Sequence, residues 1–223
     1  MDWHPLWLSL RVAATATLFA AVIGIALALV LAKARFRGRG LLEALASVPI
    51  VLPPTVLGYY LLVSLGVRSP LGRAWEAVFG HTLVFTPTAA VVAAAVSAMP
   101  FVLRTARAAI EAVDPRFEQA ARTMGLPEWR VAAQVTLPLA RRGLIAGVAL
   151  GFARALGDFG VTVMIAGNIP GRTQTMPIAL YDAVQSGHDH RASVMAGVLG
   201  GIAVVMLMVV NRLSRSTLSE RER

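Results

Sequence analysis

The sequence predicts an all-α protein, a polytopic bundle of transmembrane helices, and three observations carry that expectation. Of its 223 residues, 57% are hydrophobic and only 15% are charged. Val12 to Ala32, Leu83 to Leu103 and Ala192 to Asn211 hold no charge, and each matches the ~20 apolar residues that carry a helix across a bilayer. Basic residues, finally, gather in alternate connections between the apolar stretches.

The first span is expected at about 8–32. Asp2 and no basic cluster precede it, and its uncharged stretch is longer than a signal-peptide core, so it reads as a retained helix. Arg11 at its start suits an interfacial anchor. A second span, 42–66, is interrupted by Pro49, Pro53 and Pro54. Each proline removes a backbone donor and crowds the preceding turn, so the pair at 53–54 must distort the helix. Two readings of that kink stay open: it faces a pathway, with Thr55 and Tyr59 beyond it, or it packs against a neighbour. The third span is expected at 83–103, the fourth at 143–167 and the fifth at 192–212. Between the last two, "NIPGRTQTMPIALYDAVQSG" opens with a Pro170-Gly171 turn. A short helix from about Met176 to Gln185 follows, with Pro177 in its first turn and Gly187 after its end. It is too short to span. It is re-entrant or lies on the surface, unless it makes a sixth, short crossing.

Charge sets the orientation. The first loop carries Lys33, Arg35, Arg37 and Arg39, the 104–142 loop seven arginines, and the tail Arg212, Arg215, Arg221 and Arg223. These are 15 of the 21 basic residues, and the positive-inside rule makes those loops cytoplasmic, with the N-terminus outside and the C-terminus inside. Trp3, Trp7, Tyr59 and Tyr60 then lie towards the outer ends of their spans. The net charge of +9 has the same explanation, so no nucleic-acid partner is expected. The absence of cysteine excludes disulfides, thiolate metal ligands and a cysteine nucleophile. The pair His188 and His190 around Asp189 offers too few ligands for a metal site. No metal or other cofactor is expected in this chain.

The 104–142 loop gathers seven arginines and four acids, more charge than any other connection. Asp114-Pro115 is a helix start, Asp as N-cap and Pro at the first position. Phe117, Ala120, Ala121 and Met124 share one helical face, Glu118, Gln119, Arg122 and Thr123 the other. Gly125 stands where a C′ glycine ends the helix. "PEWRVAAQVTL" then starts a second helix, which Pro138 is expected to stop or bend. Such a loop is either an amphipathic connector on the headgroups or a rigid knob that seats its apolar face in a partner's groove.

This stretch resembles the cytoplasmic loop of ABC importer permeases, written EAA, three residues, Gly, nine residues, Ile-x-Leu-Pro. Gln119-Ala120-Ala121 fill the first slot, Gly125 follows after three residues, and Val135-Thr136-Leu137-Pro138 after nine more. Gln119 replaces the pattern's Glu, with Glu118 adjacent, and Val135 replaces Ile. "VPIVLPPTVLGYYLLVSLG" and "LGFARALGDFGVTVMIAGNIPGRTQTMPIALYDAVQSG" look like the second span, and the fourth span with its outer loop, of molybdate permeases. Sulfate permeases share parts of these patterns. The resemblance, from about Leu8 to Leu213, implies a type I ABC importer permease-like fold in the cytoplasmic membrane, working as a homodimer. It further implies two ATP-binding subunits docked on Phe117, Glu118, Gln119, Ala120, Ala121, Met124, Gly125, Leu137 and Pro138, and an extracytoplasmic solute-binding protein. The chain itself would be non-catalytic, and it lacks the GxxxxGK[ST] loop. Molybdate is the implied solute, with sulfate, tungstate or another oxyanion as alternatives. A stand-alone carrier leaves the loop's spacing unexplained, and an intramembrane enzyme would need a nucleophile–base pair or paired acids within the spans.

Inside the fourth span, Arg154 and Asp158 stand four apart, on one helical face and able to pair. Intramembrane charges are costly and point to function by default, against the alternative of a structural ion pair or a snorkelling Arg154. Gly157 and Gly160 would allow close helix approach, and Thr162 and Asn168 are candidate pathway groups.

Overall fold

In the computed structural model, which describes residues 2–34 and 36–218, every regular element among the described residues is helical. Arg35, Arg221 and Arg223 of the charge pattern lie outside the described residues. The chain runs through α1 (His4–Lys33), α2 (Arg39–Val51), α3 (Pro54–Leu65), α4 (Pro70–Phe79), α5 (Pro87–Glu111) and α6 (Pro115–Thr123). Next comes α7 (Glu128–Val131), which passes through a π turn, Ala132–Thr136, into α8 (Leu137–Leu156). Then follow α9 (Gly160–Ala166), α10 (Met176–Gln185) and α11 (Asp189–Leu218).

Proline and a capping oxygen start several of these helices. Ser69 Oγ accepts from the Gly72 N–H at 2.8 Å ahead of Pro70, and Thr86 Oγ1 from the Ala89 N–H at 3.3 Å ahead of Pro87. Four helical stretches are long and apolar enough to cross a membrane: His4–Lys33, Pro87–Glu111, Glu128–Leu156 and Asp189–Met208. Arg39–Val51 and Pro54–Leu65 make a fifth if that bent pair counts as one span.

The centre is built from small side chains. Ala13, Ala16 and Ala20 of α1 are buried with Ala89, Ala90, Ala93, Ala94 and Ala98 of α5. On α8, Gly143, Gly147 and Gly151 repeat every four residues and face α5. Val102 of α5 is wedged between two glycines: an added Cβ would lie 3.2 Å from it at Gly24 and 2.5 Å from it at Gly151. Lipid is as apolar as a leucine side chain, so association inside a bilayer rests on this close van der Waals contact. At the end of the bundle that carries α6, Glu43 of α2 pairs with Arg107 of α5 at 2.6 Å. At the far end, α10 packs on α11 and α1 around Met176, Ala179 and Met195.

Three elements differ from the sequence-based expectation. The 42–66 stretch is two helices bent by 115°: Pro53 and Pro54 end α2, and the Val56 N–H bonds the Pro53 carbonyl at 2.9 Å to open α3. The 143–167 stretch breaks after Leu156, and α9 starts only at Gly160. Pro138 neither stops nor bends its helix out of line. The backbone widens into a π turn just ahead of the proline ring, where the Leu137 N–H reaches back five residues to the Ala132 carbonyl. The Gly125–Pro138 arm and α8 are therefore one continuous rod from Glu128 to Leu156.

Candidate functional site

Asp114 caps α6 by accepting the Arg116 N–H at 2.9 Å. Gly125, at φ +81°, closes it. The Gly125 N–H bonds the Arg122 carbonyl at 2.9 Å, and the Leu126 N–H reaches the Ala121 carbonyl at 3.2 Å. This is the left-handed C′ geometry that glycine adopts without strain.

What α6 buries departs from an ordinary amphipathic helix: one acid and one alanine. Phe117 is 57% exposed and Met124 78%, with Ala120 and Gln119 also exposed. Glu118 is only 4% exposed, and Ala121 is buried beside it. Helical periodicity assigns Glu118 to a solvated face; instead the fold draws that carboxylate in. Lys33, the last residue of α1, pairs with Glu118 Oε1 at 2.5 Å, and Thr136 Oγ1 donates to the same oxygen at 2.7 Å. Arg122 lies 3.6 Å from Oε2 and holds Glu128 with two contacts, 2.6 and 3.1 Å. Burial pushes the Glu118 carboxyl up, but the Lys33 and Thr136 hydrogen bonds and the Lys33 and Arg122 charges outweigh it, so the acid lies below its ordinary range. Beside this network a cavity of about 260 Å³ opens between α1 and the loop, lined by Leu29, Lys33, Glu118, Arg122, Trp129 and Thr136.

Leu137 is partly buried and Pro138 exposed at the start of α8. Trp129 is 66% exposed, with Arg130 over its ring at 5.0 Å. The surface of the loop thus presents Phe117, Ala120, Met124 and Trp129, an apolar set on a rigid, hydrogen-bonded frame. Sequence reasoning missed Lys33, Thr136 and Trp129. Their common signal, a cation, a hydroxyl and an aromatic at the borders of apolar segments, has no fixed spacing to Glu118.

The intramembrane candidates divide in two. Asp158 lies in the break between α8 and α9 and not on the α8 face, yet Arg154 Nη1 still meets its Oδ1 at 3.0 Å. Its Oδ2 accepts the Thr162 N–H at 3.0 Å and the Thr162 hydroxyl at 2.7 Å, so Asp158 also caps α9. Asp158 and Thr162 are buried, and Arg154 is partly exposed. Gly160 does allow a close approach, since an added Cβ would lie 2.7 Å from Pro54; Gly157 faces only its own helix. Thr55 and Tyr59 are exposed on α3. Asn168 is exposed and accepts from Gln174 Nε2 at 2.9 Å. Among the described residues no hydrogen bond or ion pair joins Thr55, Tyr59 or Asn168 to the Arg154–Asp158–Thr162 group.

Residues 20–219 match the family model described as binding-protein-dependent transport system inner membrane component. The chain is 42% identical to the molybdenum transport system permease protein ModB of Escherichia coli K12, covering 96% of this chain and 94% of that one. It is 39% identical to the putative molybdenum transport system permease protein YvgM of Bacillus subtilis, over 93% and 92% of the two chains. With the sulfate transport system permease protein CysT of E. coli K12 it shares 35% identity, over 96% and 81%. Among solved structures, the MetNI methionine ABC transporter in its inward-facing conformation superposes with a TM-score of 0.71 at 18% identity, over 95% and 94%. A bacterial ABC transporter that imports alginate gives 0.70 at 14%, over 97% and 78%.

Proposed function

The chain belongs to the family of inner-membrane components of binding-protein-dependent transport systems, and from that premise we propose that it is the permease subunit of an ATP-driven importer of molybdate. The observation that carries the reading is the exposed apolar surface of α6 over a buried acid. Its carboxylate is turned in and its phenylalanine and methionine are turned out, which suits a surface meant to be covered by a partner. The substrate rests on relatives named for molybdenum transport at 37 to 42% identity, against 35% for the sulfate permease CysT of E. coli K12.

In this reading two copies of the chain enclose the pathway in the cytoplasmic membrane, in contact with its lipid. Two ATP-binding subunits dock on α6 from the cytoplasm, and a solute-binding protein delivers the anion outside. The N-terminus lies outside and the C-terminus inside, as the positive-inside rule asks. Closure of the ATPase pair pushes both docked loops, and the helices rock between inward-open and outward-open states. The chain binds no cofactor and hydrolyses nothing. Its buried Asp158 is ion-paired with Arg154 and accepts two hydrogen bonds from Thr162, which suits a structural clamp better than proton chemistry. The anion is held weakly during passage and selectivity falls mainly to the binding protein.

Uptake into liposomes carrying this chain with its ATPase and binding protein tests the proposal. We expect ATP-dependent molybdate uptake that excess sulfate does not suppress, and its loss in Phe117→Asp, where an exposed side chain is changed. Equal sulfate uptake would replace the substrate, and uptake without the ATPase would sink the importer reading.

A further inference from the structure

Helix α1 is fastened at both ends by polar contacts to segments that are not its neighbours in sequence. At one end Lys33 holds the buried Glu118 of α6. At the other, Ser9 Oγ accepts the N–H of Met176, the first residue of α10, at 2.7 Å, with Ser9 2% and Met176 1% exposed. Ser9 and Lys33 are separated by about 36 Å along one uninterrupted helix, taking 1.5 Å per residue. Between them α1 is packed along α5 by alanines and Gly24, so it has little room to bend independently.

We propose that Lys33 is the positioning residue that couples α6 to α1, and that α1 relays the displacement of α6 to α10 at the far end through Ser9. The inference rests on the importer reading and adds its route of transmission. A helix docked only on its partner would move on the hinge at Gly125 and spend the push in the loop. The carboxylate of Glu118 removes that freedom, because separating it from Lys33 would leave a desolvated charge with Thr136 and a more distant Arg122. Thr136 ties the same carboxylate to the π turn, so α8 receives the push as well. The far-end contact places α10, on the side where a solute-binding protein would sit, under the control of the same rod.

The experiment uses the assembled transporter in liposomes and counts ATP hydrolysed per anion taken up. Lys33→Met should raise that ratio at least about tenfold, the factor that a weak hydrogen bond to a charged group is worth, and Lys33→Arg should restore it. Ser9→Ala should raise the ratio too. The chain has no cysteine, so spin labels at Val30→Cys and at Thr123→Cys, an exposed position of α6 outside the docking set, report without background. Their separation should stay constant between nucleotide-free and ATP-trapped states in the parent and in Ser9→Ala, and change in Lys33→Met. An unaltered ratio and a constant separation in Lys33→Met would overturn the coupling role. An unaltered ratio in Ser9→Ala would overturn the relay to α10. Absence of ATP-driven uptake in the parent chain would instead bring down the importer reading with it.

Discussion

At Glu118 a carboxylate is buried among a lysine, an arginine and a threonine, and its titration governs how firmly α6 is held. Its folded acid lies below the unfolded one. Its contribution is therefore fully present above the unfolded value and is lost as pH falls through the folded one. With the unfolded glutamate at about 4.3, the contribution is complete at neutral pH and is lost in acid below that value. Glu118→Gln should unfold at lower temperature than the parent at pH 7, by the ~1.5–3 kcal/mol of a hydrogen bond to a charged group. That gap should shrink as the pH falls below the unfolded value and close once it has passed the lowered folded one; a gap that does not change with pH in acid would contradict the assignment. Arg122 is raised, chiefly by its hydrogen bond to Glu128, but the pair is surface-exposed and such pairs contribute little. The residues that share the face of Phe117, Ala120 and Met124 were legible from a spacing of three and four. The direction in which the face points was not. Period alone does not place Glu118 inside; Lys33, brought from 85 positions earlier in the chain, and Thr136, from 18 positions later, hold it there.

Elements whose boundaries depend on their own prolines and glycines were legible: the Asp114-Pro115 start, the Gly125 stop, and the helix Met176–Gln185 all follow local chemistry. Elements that depend on a neighbour were not. The Gly143, Gly147, Gly151 repeat acquires meaning only against α5, and the break at Gly157–Phe159 only with Asp158 capping the next helix. The amphipathic α4, with Trp75 stacked on Phe79 at 4.0 Å, lies in a connection too short and too mixed to announce itself. Packing gives a sharp expectation at this scale. Gly151→Leu would drive a side chain into Val102, which is fully buried and backed by Gly24 on its other side. It should lower the melting temperature in detergent by the equivalent of about 1–3 kcal/mol or more. Gly197→Leu on α11, with open space around it, should leave the melting temperature unchanged. Equal behaviour of the two would show that α5 and α8 do not meet as described.

For the molecule as a whole, hydropathy and charge sufficed to give an all-helical membrane bundle, because a bilayer permits few alternatives to helices that satisfy their own backbone. The bend of 115° between α2 and α3 was foreseeable as a kink and not as an angle, since α3 packs closely on α9 at Gly58 and Gly160, a contact that the prolines do not announce. Orientation is open to a direct measurement in a chain without cysteine. Single cysteines at Arg37 and Gln119 should be labelled only from the cytoplasmic side, and at His81 and Ser186 only from outside; the opposite pattern would reverse the topology. Counted along the chain, the π turn is one surplus residue in a helix. The nine residues between Gly125 and Val135 include that surplus, so the interval behaves as a ruler. Deleting one residue between Ala132 and Gln134 would take out that surplus and let the helix close at ordinary α pitch, with Trp129 and Thr136 kept near their present faces. Deleting Arg130 instead would leave the π turn in place and rotate what lies ahead of it by about 100° relative to α8, carrying Glu118 away from Thr136. For the gene, one lost codon is mild or severe according to which side of Ala132 it falls.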